Sequence, residues 1–311
     1  MVLALQIVGG LIGLLIGGEL LVRGASAVAV RLGMSPLVVG VVIVGFGTSA
    51  PELMTSVQAA LGGAPGIAMG NIVGSNIANI LLILGAAALM RPFVTSREAV
   101  LRDGSIVIVT AVVFALAAWT GMIERWMGVV FLIGLVGYIV YTLRSDRKTV
   151  ATMEDIPASA GTPLFLSLIF LVGGLVLIVI GADNLVDGAV TVARIFHVSE
   201  EVIGLTLVAV GTSLPEFVTS IMAAIKRHSE IALGNVLGSN VYNTVGIGGV
   251  TAVVSPIPVS DSMRMVDVPM MLAISVLLIV VVATGRHVSR WEGAVLLALY
   301  AGYIGYQTAF A

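Results

Sequence analysis

Two copies of one sequence motif, 164 residues apart, lie within apolar stretches of the chain. Residues 47–52 read GTSAPE, and residues 211–216 read GTSLPE. A second pair follows at the same offset, with GNIVGSNIAN at 70–79 and GNVLGSNVYN at 234–243. The chain therefore contains an internal repeat whose polar residues, two glutamates among them, are embedded in apolar sequence. An ionisable side chain in such a setting is energetically costly and indicates a functional site.

The composition is typical of a protein that crosses a membrane many times. Of the 311 residues, 59% are hydrophobic and 10% are charged, whereas soluble domains carry about 25% charged residues. A stretch of about 20 mainly apolar residues predicts a membrane-spanning helix. Ten such stretches occur, at roughly 3–30, 36–60, 71–90, 104–121, 126–143, 163–193, 201–225, 234–254, 266–284 and 291–309. We expect the first of them to be a retained helix and not a signal peptide.

The repeat divides these stretches into two equal groups. The predicted fold is an all-α membrane protein whose ten transmembrane helices form two inverted five-helix repeats. The first repeat spans residues 1–143, with its motifs at 45–79, and the second spans 163–311, with its motifs at 209–243. The polar segment 144–162 is predicted to link them. Because each repeat holds an odd number of spans, the second must cross the membrane upside down relative to the first, as in many secondary transporters.

The basic residues predict how the chain is oriented. The loops that follow odd-numbered spans hold eleven Lys and Arg residues, and the loops that follow even-numbered spans hold three. Since basic residues concentrate on the cytoplasmic side, we expect an integral cell-membrane protein with the 144–162 linker in the cytoplasm and both termini outside. The net charge of −2 does not indicate nucleic-acid binding. The chain has no cysteine, which excludes disulfides and thiolate metal sites.

The first motif pair supplies oxygen ligands at one level of the membrane. Thr48 and Glu52 are four residues apart and so share a helix face, with Ser49 beside them. Pro51 has no N–H, so the carbonyl groups one turn before it lose a hydrogen-bond donor. Thr212, Ser213 and Glu216 repeat this pattern, with Pro215 in the place of Pro51. Carboxylate, hydroxyl and carbonyl oxygens are ligands that suit Ca²⁺ or Na⁺.

The second motif pair adds further oxygen atoms. Ser75 and Asn79 are four residues apart, and so are Ser239 and Asn243. Gly70-Asn71 and Gly234-Asn235 are interpreted as helix-start or bend signals. Asn76 and Asn240 are expected to face away from the other polar residues.

These motifs resemble the two α-repeats of the calcium/cation antiporter superfamily, in particular its Na⁺/Ca²⁺ exchangers. The resemblance covers nearly the whole chain, and the short linker is similar to that of prokaryotic members. It implies a central Ca²⁺ site formed by Glu52, Glu216 and the carbonyl groups of Thr48 and Thr212. It further implies flanking Na⁺ sites, with Asn79 and Asn243 lining the middle. The Na⁺ ligands would be Ser49, Ser75 and the Gly45 carbonyl on one side, and Ser213, Ser239 and the Ala209 carbonyl on the other.

The resemblance implies a secondary antiporter that exchanges Na⁺ for Ca²⁺ by alternating access. Some relatives, including K⁺-dependent exchangers, carry Asp where this chain has Asn243, so the resemblance implies K⁺ independence and an electrogenic cycle. The expected partners are the two ions and the lipid bilayer, without a cofactor. No enzyme motif such as HExxH, a P-loop or GxSxG is present. An H⁺/Ca²⁺ antiporter, a passive cation channel and an inert membrane scaffold stay open as alternatives.

Overall fold

The protein is built almost entirely of helices. The computed structural model describes residues 2–94, 97–150, 163–196, 209–285 and 287–310. In chain order, the α-helices are Val2–Leu32 (α1), Pro36–Val39 (α2), Gly45–Thr48 (α3), Ala50–Leu61 (α4), Pro65–Ala78 (α5), Gly85–Met90 (α6), Arg97–Trp119 (α7), Arg125–Val150 (α8), Leu164–Ile195 (α9), Ala209–Thr212 (α10), Leu214–Ile225 (α11), Ser229–Val241 (α12), Gly248–Val254 (α13), Val268–Gly285 (α14) and Arg290–Phe310 (α15). Helices suit an apolar chain because every backbone group can be bonded within its own segment.

Several of these helices are joined by π-helical turns, which the sequence pattern did not predict. The π-helical segments are Gly40–Val44, Asn79–Leu84, Tyr242–Ile247 and Met263–Asp267. Three of them adjoin or contain motif residues, since one precedes Gly45, one starts at Asn79 and one contains Asn243. Such widened turns occur frequently at functional sites.

The described helices include enough long apolar segments for a membrane-embedded bundle. Within the described ranges, six helices are long and apolar enough to cross a bilayer, and a seventh span is counted if the pair Pro36–Thr48 and Ala50–Leu61, bent by 41°, is one span. Burial separates the centre from the periphery. In the 18-residue apolar stretch of Pro65–Met90, 78% of the stretch is buried inside the protein, whereas in that of Leu164–Ile195 only 28% is buried. The helix that carries the second motif of the first repeat therefore lies at the centre of the bundle.

Helices α1 and α9 pack against each other in antiparallel directions. A Cβ atom on Gly10 would lie 2.8 Å from the carbonyl oxygen of Gly181, and one on Gly17 would lie 2.8 Å from that of Gly174. These separations are too short for any side chain, so glycine allows the two backbones to meet. As residue numbers rise along one helix, the contacts fall along the other, which gives the opposite directions.

Two short antiparallel strand pairs join connections from different parts of the chain. Strand β1 (Phe93–Val94) pairs with β4 (His287–Val288), and β2 (Met122–Ile123) pairs with β3 (Ile257–Pro258). The connections after the third and ninth predicted spans therefore lie at the same end of the bundle. The connections after the fourth and eighth lie together as well.

The predicted end of the first repeat, at residue 143, lies inside a helix. Helix α8 extends to Val150, so the first part of the predicted linker 144–162 is helical, because no helix-breaking residue follows Tyr141 before that point. Residues 151–162 lie outside the described residues, and so does the start of the predicted span 201–225, up to residue 208.

Candidate cation-binding site

Each GTSxPE motif interrupts a helix and begins a new one. Helix α3 ends at Thr48, and α4 begins at Ala50 with Pro51 in its first turn. The segments Pro36–Thr48 and Ala50–Leu61 meet at a bend of 41°. The break turns the positive end of the helix dipole of α4 toward Glu52, which lies in the first turn of that helix. This position favours a negative side chain.

The second copy of the motif has the same local structure. Helix α10 ends at Thr212, and α11 begins at Leu214 with Pro215 and Glu216 in its first turn. Because Pro51 and Pro215 have no N–H, the carbonyl groups of Gly47 and Gly211 lack the donor that an α-helix would supply four residues later. Each break therefore places a carboxylate within about one turn of a carbonyl group without that helical bond.

The two copies meet through crossed hydrogen bonds. The Ser49 hydroxyl donates to Oε1 of Glu216 at 2.8 Å, and the Ser213 hydroxyl donates to Oε1 of Glu52 at 3.2 Å. The two carboxyl groups are also close enough to interact directly. Both glutamates are buried, with exposed fractions of 1% and 2%. Four predicted residues from distant parts of the chain thus form one polar centre.

Two asparagines that the sequence analysis misinterpreted hold this centre in place. Asn71 and Asn235 lie inside α5 and α12, so they do not start or bend these helices. The Asn71 amide donates to the main-chain oxygen of Glu52 at 3.0 Å and to the Ser56 hydroxyl at 2.8 Å. Asn235 bonds the main-chain oxygen of Glu216 in the same way, at 3.2 Å. Their spacing of four residues from Ser75 and Ser239 is the sequence signal that places them on the site face.

The threonines of the motif contact these asparagines across the centre. Thr48 Oγ1 lies 3.1 Å from Oδ1 of Asn235, and Thr212 Oγ1 lies 3.4 Å from Oδ1 of Asn71. Ser75 joins the network more loosely, since its hydroxyl lies 3.5 Å from that of Ser213. Each threonine therefore connects its own motif to the partner half of the molecule.

Five predicted site residues carry buried polar atoms that have no hydrogen-bond partner among the described residues. These atoms are Oε2 of Glu52, Oε2 of Glu216, Oδ1 and Nδ2 of Asn79, Oδ1 of Asn243 and Oγ of Ser239. A buried polar atom without a partner is unfavourable by about 1–3 kcal/mol. Five of these six atoms are oxygens of the hard type that Na⁺ and Ca²⁺ prefer, so their chemistry fits a cation.

The remaining predicted ligands are placed as follows. Gly45 and Ala209 begin the matching short helices α3 and α10. The Gly45 carbonyl accepts the N–H of Ser49 at 3.2 Å. The side-chain amides of Asn76 and Asn240 donate to carbonyl groups of their own helices, at 2.7 Å each.

Basic side chains do not neutralise the two glutamates in the described part of the chain. The ion pairs found there belong to Glu19, Asp103 and Asp261. The described part of the chain also contains no cluster of three or more acidic, His or Cys side chains that could hold a metal ion. Two carboxylates, hydroxyls, amides and main-chain oxygens are therefore what the centre can offer a cation.

Comparison with known proteins agrees with this chemistry. The sequence profile of the family described as sodium/calcium exchanger protein matches residues 2–144 and 166–309. The chain belongs to the sodium/calcium exchanger family. The gap between the two matches, residues 145–165, overlaps the polar segment 144–162 that was predicted to link two repeats.

Individual exchangers and related membrane proteins are similar over most of their length. Sodium/calcium exchanger MaX1 of Methanosarcina acetivorans is 34% identical over an alignment 337 positions long, which covers 95% of this chain and 95% of that protein. Inner membrane protein YrbG of Escherichia coli is 32% identical over 283 residues, which cover 88% and 86%. A structure of the sodium-calcium exchanger NCX_Mj, soaked with 2.5 mM Na⁺ and 0.1 mM Ca²⁺, matches with a TM-score of 0.87 at 32% identity and 98% coverage of each chain.

Membership of the exchanger family defines the general activity. Its members are transporters and not enzymes, so the chain is an integral membrane protein that exchanges cations, Ca²⁺ among them. The resemblance inferred from the two motif pairs is therefore confirmed at the level of the family.

Proposed function

We propose that this exchanger is a secondary active antiporter that moves Na⁺ against Ca²⁺ by alternating access, in an electrogenic and K⁺-independent cycle. The observation that carries the proposal is the crossed contact of Ser49 with Glu216 and of Ser213 with Glu52. It holds two carboxylates side by side, each with one oxygen that has no partner among the described residues.

We assign the central Ca²⁺ site to Glu52, Glu216 and the carbonyl groups of Thr48 and Thr212. Ca²⁺ accepts six to eight oxygen ligands, and Asn79 and Asn243 contribute unpartnered amide oxygens from the neighbouring helices. The flanking Na⁺ sites are assigned from the family resemblance. Their ligands are Ser49, Ser75 and the Gly45 carbonyl on one side, and Ser213, Ser239 and the Ala209 carbonyl on the other.

The charge of the site explains why transport is coupled. Two ionised glutamates give a charge of −2, which one Ca²⁺ neutralises. If three Na⁺ replace one Ca²⁺, as the family resemblance implies, the loaded site has a charge of +1. Either loaded form crosses a low-dielectric barrier more easily than two bare carboxylates do. The empty site is therefore held back, and the ions exchange instead of leaking.

We further propose that ten spans form two inverted halves, residues 1–143 and 163–311. The antiparallel packing of α1 and α9 supports this topology, as do the two separate family matches. The pairing of strands supports grouping the odd-numbered connections at one end and the even-numbered connections at the other. By the distribution of basic residues, the 144–162 linker is cytoplasmic and both termini are outside. Helices α1 and α9 hold none of the assigned ligands and form the part that moves past the core.

The choice of Na⁺ rests on the hydroxyl groups and on the relatives. Serine hydroxyls donate to both carboxylates. Two of the similar proteins are named as sodium/calcium exchangers. Asn243, in place of an acid, supports K⁺ independence. One net charge per cycle makes transport sensitive to voltage by about 2.3 kcal/mol per 100 mV.

Flux through the purified protein in liposomes tests the proposal. We expect an outward Na⁺ gradient, in K⁺-free buffer, to drive ⁴⁵Ca²⁺ uptake. An interior-positive potential should increase this uptake, because three Na⁺ leave for each Ca²⁺ that enters and one net positive charge moves outward. A pH gradient without Na⁺ should not drive uptake. Uptake driven by the pH gradient alone would identify an H⁺/Ca²⁺ antiporter instead. Uptake that needs no counter-ion inside the liposomes would identify a channel.

A further inference from the structure

A cavity of about 490 Å³ lies at one end of the bundle, away from the cation centre. Its walls are Met90, Arg91, Pro92, Ile225 and Arg290, and we refer to it as the arginine cavity. Three elements meet there, because α6 and α11 end at the cavity and α15 begins at it. Its volume lies in the range of small-ligand pockets, which is about 300–1,000 Å³.

The two arginines lie on the two connections that the β1–β4 pair joins. In that pair, Phe93 is opposite Val288, and a guanidinium nitrogen of Arg290 lies 3.5 Å from the main-chain oxygen of Met90, the residue before Arg91. Like charges that lie close together repel each other. The arrangement would gain stability if an anion lay between the two guanidinium groups.

Carboxylates of the described residues do not supply this negative charge. Neither arginine forms an ion pair among those residues, and the contact described for the Arg290 side chain is a 3.5 Å bond to the Met90 carbonyl. The acid nearest to it along the chain, Glu292, accepts bonds from the N–H and the hydroxyl of Ser289 at 2.6 and 2.7 Å. A guanidinium group has five N–H donors in a fork that matches a phosphate group, so most of the donors remain available.

Exposed apolar side chains lie beside the two arginines. The side chains of Met90 and Ile225 are 54% and 45% exposed, and Trp291, next to Arg290, is 76% exposed. Tryptophan is enriched where the apolar core of a bilayer meets water. Cationic side chains next to exposed apolar ones match a molecule that has a phosphate headgroup and acyl chains. A small soluble anion would use the two arginines alone.

We propose that the arginine cavity binds the phosphodiester headgroup of an anionic phospholipid, with Arg91 and Arg290 on either side of the phosphate. The acyl chains would run along Met90 and Ile225 toward the bilayer. This proposal does not depend on which cation drives transport, because the readout of its test is lipid binding.

A lipid bound in this cavity would affect the transport site through a single helix. Helix α11 has Glu216 in its first turn and Ile225 as its last residue. Nine residues of helix correspond to about 14 Å. A lipid bound at the end of α11 therefore steadies the helix that positions one of the two carboxylates.

Native mass spectrometry of the full chain in detergent tests the proposal. The protein is titrated with phosphatidylglycerol and, separately, with phosphatidylcholine. We expect phosphatidylglycerol to bind more tightly, and Arg91→Gln/Arg290→Gln to weaken its binding by roughly tenfold to thirtyfold. The control, Arg125→Gln/Arg144→Gln, removes the same charge from two exposed side chains outside the cavity and should leave binding close to that of the unmodified protein.

Three results would overturn the proposal. The first is equal phosphatidylglycerol binding by the cavity variant and the unmodified protein. The second is an equal loss in the control, which would show attraction to surface charge in general. The third is displacement of the lipid by soluble glycerol 3-phosphate at similar concentrations, which would show a site for a free phosphate ester. Arg290→Gln alone, at an exposed position, provides the same decision if the double variant does not fold.

Discussion

The two halves of the candidate cation centre make the same contacts in different surroundings. The Thr48–Asn235 contact is 3.1 Å long and both residues are buried, whereas the Thr212–Asn71 contact is 3.4 Å long and both residues are partly exposed. The serine contacts differ in the same direction, at 2.8 Å for Ser49 and 3.2 Å for Ser213.

The difference between the halves originates outside the motif. Helix α12 is buried at every position from Ile231 to Val241, whereas α5 keeps partly exposed positions at Gly70, Asn71 and Gly74. The motif therefore determines which atoms meet, and the packing around it determines how open each half is. A site that is more open on one half than on the other is what alternating access requires, since only one route may be open at a time.

The asparagines should show the largest difference between the halves. Asn235→Ala removes the partner of the Glu216 carbonyl and of the Ser220 hydroxyl in a fully buried place. We expect it to lower the free energy of unfolding by about 3 kcal/mol, and Asn71→Ala by about 1 kcal/mol, because water can reach the partners of Asn71. Thermal unfolding of the purified variants measures this. Asn76→Ala, which removes a bond within one helix, is the control, and equal losses at Asn71 and Asn235 would remove the distinction.

The serines should show a smaller difference in transport. Ser49→Ala removes the shorter bond to a carboxylate, so we expect it to reduce Ca²⁺ uptake by roughly tenfold and Ser213→Ala by roughly threefold. Initial rates of ⁴⁵Ca²⁺ uptake at limiting Ca²⁺ give the comparison. A larger loss for Ser213→Ala would reverse the order of the two halves.

Cysteine substitutions at the two threonines test accessibility directly, and we expect them to disturb stability and transport least. The chain contains no cysteine, so Thr48→Cys and Thr212→Cys can each be labelled without background. We expect a soluble thiol reagent to react severalfold faster at position 212, which is partly exposed, than at position 48, which is buried. Equal rates would show that the two halves are equally open.

Local sequence patterns predicted the composition of the centre better than its connections. The paired motifs singled out Glu52 and Glu216, which the structure brings into one polar centre. The crossing of Ser49 to Glu216 joins residues 167 positions apart, and contacts of that range depend on how whole helices pack. Asn71 was misinterpreted because Gly-Asn also marks helix ends in general. The arginine cavity depends on the pairing of β1 with β4, which two-residue strands do not reveal in a sequence.

The central claim is that two carboxylates, one from each half, hold the transported cation together. Na⁺-driven ⁴⁵Ca²⁺ uptake into liposomes containing Glu52→Gln or Glu216→Gln tests it most directly. Glu124→Gln is the control, since that side chain is exposed and bonds the Trp126 indole. We expect either single change at the centre to abolish uptake, while the control transports like the unmodified protein. Uptake at the unmodified rate by Glu52→Gln or Glu216→Gln would contradict the account.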